Sequence, residues 1–365
     1  MFLSFLNAGF GDSKVSRSLQ LKSSFFIAIL IVWFAGAYAE QTTKIDEQPV
    51  YGIWYEITPD ITEKTLKSDF EKIRDIGFNT VFFSAYVHQD NMFSNTVKPP
   101  DEKGLASLRA ALKAAKAAGL KRAVTGFLLV DDGAWRGTIV PTNKKKWGES
   151  YFNAILPYIN LAQEEGVEMF CVASEMETLK QDGEMWKRMM AEIRKRFGGL
   201  LGYNTNWWYN DSGFETLIKQ KAWLSELDFL GVSAYFNLSK ENNPTADELA
   251  RKWRSNASGR DTVADVQKLR TEVNDKIIFW EIGYMSLDGA NMEPWNYNRK
   301  ADADAEEQAD CFTAFLRILK ETGFINGFAV WGPRAGLQPS EKGYDFIGKP
   351  AENVFRKFLL NRQDY

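Results

Sequence analysis

From residue 50 onward, short apolar runs alternate with stretches in which apolar residues return every third or fourth position. Runs at 50–56, 80–85, 121–129, 167–173, 201–206, 228–235, 276–280 and 327–331 are rich in β-branched and aromatic residues, and they predict strands. Between them, Leu66, Phe70 and Ile73 recur at spacings of four and three, and Met185, Met189, Ile193 and Phe197 at four. Those periods predict amphipathic helices. Gly77, Gly119, Gly166 and Gly323 each stand just ahead of a strand, where a left-handed cap would end a helix. Eight βα units with no composition break predict a single α/β domain, a (β/α)8 TIM barrel. The rival is a doubly wound open sheet, which usually carries a glycine-rich loop after its first strand. Here that position reads Tyr55-Glu-Ile-Thr-Pro-Asp, so the barrel is preferred. The segments 242–247 and 289–295 read as long loops after strands 6 and 7, on the face where barrel loops shape a cleft.

The chain begins differently. Lys14, Arg17 and Lys22 precede an apolar run over 25–35, and Ala37-Tyr38-Ala39 fits a small-x-small cleavage site. Residues 1–39 therefore read as a signal peptide and 40–365 as the catalytic barrel, which implies export to the periplasm or beyond. The apolar run is short of the roughly 20 residues that span a bilayer, so no stable membrane insertion is expected after cleavage. Loss of the leader removes three cations and Asp12, which takes the formal net charge from −3 to −5. Such mild acidity argues against nucleic acid as a partner and is compatible with a neutral, polar one. The chain is expected to act as a monomer. Cys171 falls inside a strand and Cys311 on a helix, and both are expected to be free, buried thiols. With His88 as its one histidine, the chain lacks the histidines of zinc hydrolases. Neither a metal nor a cofactor is expected.

What remains is carboxylate chemistry. Strand 4 runs into Glu175, in Phe170-Cys-Val-Ala-Ser-Glu-Met, and strand 7 into Glu281, in Ile277-Ile-Phe-Trp-Glu-Ile-Gly-Tyr. In a barrel both would stand on the C-terminal rim, where catalysis occurs. Two facing carboxylates are what a retaining glycosidase needs, one attacking the anomeric carbon and the other protonating the leaving oxygen. The acid would need a raised pKa, which a partly dry site and a like charge can supply. Glu177 competes with Glu175 if the extended run continues, and otherwise opens a loop or pairs with a cation. Trp135, Trp207, Trp208, Tyr235 and Trp331 fall at or just past strand ends, mixed with Gln89, Asp90, Asn91, Arg136, Asn206 and Asn237. Aromatic faces with neighbouring hydrogen-bonding groups suit pyranose rings. Arg74 and Arg122 are candidates for a cation beside the carboxylates, with no spacing that selects either.

Several short runs then point one way: Tyr86-Val-His-Gln-Asp-Asn, Trp135-Arg-Gly, Ala173-Ser-Glu-Met, Val232-Ser-Ala-Tyr-Phe, Trp280-Glu-Ile-Gly-Tyr and Gly348-Lys-Pro-Ala-Glu. In this order the chain resembles family 113 glycoside hydrolases, retaining β-1,4-mannanases of the large clan of (β/α)8 glycosidases with catalytic glutamates on strands 4 and 7. The resemblance runs from about residue 50 to the C-terminus. It implies Glu175 as acid/base and Glu281 as nucleophile, Tyr235 as a hydrogen-bond donor to the nucleophile, and Trp331 as the floor under the attacked sugar. It also implies that Gln89, Asn91, Trp135, Arg136, Asn206 and Trp207 line the remaining subsites. One departure is Ser174, where most of the clan has an asparagine that holds the sugar 2-hydroxyl. The expected activity is hydrolysis of β-1,4-mannan or its oligosaccharides, with polysaccharide or oligosaccharide as the partner. The alternatives are the same mechanism on another β-linked glycan (glucomannan, glucan, xylan or a cell-wall glycan) and a barrel that binds polysaccharide without cutting it.

Overall fold

A computed structural model describes residues 48–58 and 60–360, so the leader expected over 1–39 lies outside the described residues. Eight strands form a closed barrel: β1 Val50–Trp54, β2 Thr80–Gln89, β3 Lys121–Val130, β4 Met169–Ser174, β5 Leu200–Thr205, β6 Phe229–Ser233, β7 Ile277–Ile282 and β8 Gly327–Val330. Every strand is parallel to its neighbours, and β8 returns to pair with β1. This is the (β/α)8 barrel that the eight alternating units predict. All the strand positions hold, with altered ends. β2 and β3 run on to Gln89 and Val130, and β7 extends past Glu281 to Ile282.

The helices start and stop for the reasons the sequence suggests. Thr62 caps the helix Glu63–Ile76, and Leu66, Phe70 and Ile73 form its buried stripe. Gly77 ends it in the left-handed region at φ 110°, which a side chain would resist. In Gly183–Arg194 the stripe is Met185, Met189 and Ile193; Phe197 is buried too but lies beyond the helix end. Among the described residues no helix is long and apolar enough to cross a membrane.

Val50, Trp54, Phe82, Met169, Cys171, Phe229, Ile278 and Trp280 fill the barrel interior as a cluster separate from the larger strand–helix core. The Trp280 ring stacks on Phe229 at 4.7 Å, and its Nε1 donates to Thr125 Oγ1 at 2.9 Å. Burial of one such side chain contributes about 2–3 kcal/mol. Gly202 leaves room for this packing, since a Cβ there would sit 2.1 Å from the Phe229 ring. Cys171 and Cys311 are free and buried.

The ladder is regular at the bottom of the barrel and slips at the top. Register shifts fall between Cys171 and Ser174 on β4, between Gly231 and Ser233 on β6, and between Phe279 and Ile282 on β7. Such slips re-aim side chains. They occur where the carboxylates stand.

Candidate active site

Simple alternation would put Trp280 in the barrel and Glu281 against the helices. Trp280 is inside, and Phe279 and Ile282 pack in the outer core. The slip after Phe279 turns Glu281 onto the cleft over the barrel instead. Glu175 reaches the same cleft by another route. The strand stops at Ser174, and Glu175 takes a left-handed backbone conformation, φ 55°, unusual for a residue with a side chain. Its amide is held by Asn204 O at 2.8 Å. Both carboxylates are buried among the residues lining a cavity of about 610 Å³.

Each carboxylate has its own set of donors. Glu281 Oε1 accepts from Ser174 Oγ and Asn204 Nδ2, both at 3.2 Å, and Oε2 accepts from Tyr235 Oη at 3.4 Å. Asn204 also reaches Ser174 Oγ at 3.0 Å and Ser233 Oγ at 2.9 Å, which ties β4, β5, β6 and β7 together beneath the site. Glu175 Oε2 accepts from Trp135 Nε1 at 3.2 Å and Arg136 Nη1 at 3.3 Å. The Arg136 guanidinium lies 3.8 Å over the Phe127 ring, and its Nε donates to Leu128 O. Burial, and then the charge of Glu175, push the Glu281 carboxyl well above the usual carboxylate range, against Arg136, Ser174 and Tyr235. The Tyr235 hydroxyl is pushed up as well, chiefly by burial and then by Glu281, so it stays protonated and donates.

The walls are aromatic. Trp135, Tyr235, Trp207 and Trp331 line the cleft with Arg136 and Asn206. Trp331 lies beside Phe127, with ring centroids 6.2 Å apart, and against Trp54 at 5.1 Å. Trp207 stacks near Trp295, with centroids 6.3 Å apart and planes at 25°. Trp295, Tyr297, Tyr209 and Tyr344 also line it, and the sequence reading did not single them out as ligands. The run of Trp295 and Tyr297 in the long loop after strand 7 was the available signal.

Other expectations need correction. Gln89 and Asn91 do not line the cleft. Along β2, Ser84, Tyr86 and His88 face a cavity while Ala85, Val87 and Gln89 face the helices, by the two-residue period of the strand. Gln89 is fully buried, accepting from Trp147 Nε1 at 2.8 Å, and Asn91 Oδ1 holds the Phe93 amide in a turn. Trp208 is buried against Phe214 and Phe236, with its Nε1 on Asp265 Oδ2. Asp90 pairs with Lys98, and Asn237 lies outside the cleft. The cation beside the carboxylates is Arg136; Arg74 pairs with Asp75 and Arg122 with Glu168. Glu177 leaves the cleft to pair with Lys180, because the chain turns at Glu175. Ser174 is fully buried, its hydroxyl engaged with Glu281 and Asn204 rather than facing the cleft. Among the described residues, the carboxylates of Asp288, Asp304 and Glu307 gather within 4.8 Å of one another, outside the residues lining the cleft. Protein donors already occupy two of these: Asp304 caps the helix Ala305–Thr322, and Glu307 accepts from Gly289 and Asn291.

Comparison with known proteins decides the family. The model of Glycoside Hydrolase Family 113 matches residues 53–349. The chain belongs to glycoside hydrolase family 113. No curated protein sequence matches it. Among solved structures, a family 113 β-1,4-mannanase aligns at TM-score 0.71 and 22% identity, over 86% of this chain and 100% of that one. The family 113 β-mannanase of Alicyclobacillus acidocaldarius aligns at TM-score 0.72 and 22% identity, over 87% and 99%. An endo-1,4-β-D-mannanase from Thermotoga petrophila shares the fold at TM-score 0.53 and 14% identity, over 86% and 99%.

In this family 113 hydrolase the carboxylate pair carries a stability cost with a definite pH sense. The folded pKa of Glu281 is raised. Its stability contribution is therefore fully present below the unfolded value of about 4.3 and is lost as pH rises through the folded value. Glu281→Gln keeps the shape and removes the charge. We expect it to raise Tm near pH 9 by a few degrees, equivalent to roughly 1 kcal/mol, with the gain shrinking toward pH 4. Thermal melts at the two pH values check this, and an equal effect at both would contradict it.

Proposed function

We propose that this glycoside hydrolase is a retaining endo-β-1,4-mannanase in which Glu281 is the nucleophile and Glu175 the acid/base. The observation that carries this reading is the two buried carboxylates that line one cleft, each held by its own set of donors. Like charges in a dry site favour a shared state with one proton on the pair. With that proton on Glu175, its push on Glu281 is relieved. Glu281 then keeps donors on both of its oxygens, from Ser174, Asn204 and Tyr235, which favours its anion.

In the first step the Glu281 carboxylate attacks the anomeric carbon, the bond to the leaving oxygen breaks, and Glu175 gives its proton to that oxygen. In the second, Glu175 takes a proton from water as the water attacks the same carbon, and Glu281 leaves as carboxylate. Two inversions give retention.

The leaving group sits on the Glu175 side, among Trp135, Trp207, Trp295 and Tyr209. The rest of the chain runs the other way. Trp331 and Tyr344 border a second cavity of about 530 Å³, and Tyr55, Glu56, Ser84 and Tyr86 join that to a third of about 470 Å³. Space on both sides of the cleavage point supports endo action. Mannose specificity rests on the family and on the mannanases the fold resembles. Export through the leader at 1–39 is part of the same proposal, since a polymer substrate lies outside the cell.

The test is to incubate the purified protein with mannohexaose, glucomannan, cellulose, xylan and chitosan oligosaccharides, with products followed by chromatography and the first-formed anomer by NMR. The reading expects rapid internal cutting of mannohexaose with the β-anomer released first. Cleavage of a different glycan would move the specificity, release of the α-anomer would overturn the mechanism, and binding without cleavage would favour the non-catalytic barrel.

A further inference from the structure

Glu177 and Lys180 are unused by the chemistry above, yet they form an ion pair at the edge of the site, with the lysine buried. Lys180 Nζ also donates to Thr205 Oγ1 at 3.0 Å, at the end of β5. Glu177 Oε1 accepts from the backbone amide of Asn206 at 3.0 Å, the residue before Trp207. On the other side of the loop, Thr178 donates through both N and Oγ1 to Gly137 O, at 3.1 and 2.8 Å, next to Arg136. Residues 175–180 thus bridge the turn that carries Trp135 and Arg136 to the turn that carries Asn206 and Trp207. Both turns, and Glu175 between them, line the cleft. A charged pair costs desolvation that an apolar pair would avoid, so its presence calls for a geometric role.

Building on the assignment of Glu175 as acid, we infer that Glu177 and Lys180 are a positioning pair that sets the leaving-group side of the cleft. They hold the Asn206–Trp207 turn at a fixed distance from the loop of Glu175. A sugar leaving group needs that wall in place, because its ring must pack against Trp207 while its oxygen meets Glu175. An activated aryl leaving group needs neither.

The experiment compares wild type, Lys180→Met, Glu177→Gln and the double variant on mannohexaose and on an aryl β-mannoside with a good leaving group. The double variant removes both charges together, so it stays folded if a single change strands a buried charge. We expect kcat/KM on mannohexaose to fall roughly tenfold in each variant, mainly through KM, and the double variant to lose no more than the singles. Turnover of the aryl mannoside should stay within about twofold of wild type. Equal losses on both substrates would show that the pair only supports the fold, and no loss on either would show that it positions nothing. A wild type that cuts neither substrate would instead overturn the functional reading, and this role with it.

Discussion

Glu281→Ala is expected to lower turnover of mannohexaose by roughly 10⁴-fold or more, about 5 kcal/mol of barrier. Removing the carboxylate removes the atom that forms the covalent bond, and nothing beside it can substitute. Ser174 and Tyr235 donate to Glu281 and are protonated hydroxyls, and Asn204 offers an amide. The truncation also leaves a space on the face of the sugar opposite the leaving group. Azide, small and anionic, should enter it and attack directly. With an aryl β-mannoside, azide should restore turnover and give the α-mannosyl azide, a single inversion. NMR of that product is the check. Recovery as the β-azide, or near wild-type activity without azide, would remove Glu281 from the nucleophile's role.

The second large effect is on the acid. Glu175→Ala should slow mannohexaose by about 10³–10⁴-fold, within the range general acid catalysis supplies. An aryl mannoside with a good leaving group needs no proton, so its first step should be nearly preserved and its intermediate should accumulate. A burst of phenol followed by a slow phase would show this. The variant should also lose the basic limb of the pH profile, since the titrating proton of the pair is gone. In the active form that proton leaves Glu175 without its push on Glu281, so the acidic limb, set by Glu281, should stay close to its wild-type position in the variant. Equal losses on both substrates would argue against Glu175 as the acid.

The barrel was legible because its signals are local. The alternation of apolar runs and helical stripes, closed by Gly77, Gly119, Gly166 and Gly323, reads directly from chemistry within a few residues, and all four glycines have positive φ. Glu175 and Glu281 were legible as strand-end carboxylates, although neither reaches the cleft by regular alternation. Gln89 shows the limit. Its position near a strand end and the family resemblance suggested the cleft, and strand parity sent it to the helices. Ser174 shows the same limit at closer range, since the slip on β4 turned its hydroxyl under Glu281 rather than toward a sugar. Trp208, next to Trp207, went into the core.

By itself the sequence determined the eight βα units, the two carboxylates at strands 4 and 7, and the aromatic character of the rim. These follow from hydrophobic period and residue type, which act over short spans. The tertiary structure alone decided that Arg136 rather than Arg74 or Arg122 stands beside Glu175, and that Asn204 and Ser174 brace Glu281. It also brought Trp295 and Tyr297 to the cleft wall. Those partners come together only when the ladder closes and its register slips at the rim, and a slip of one residue redirects every side chain beyond it.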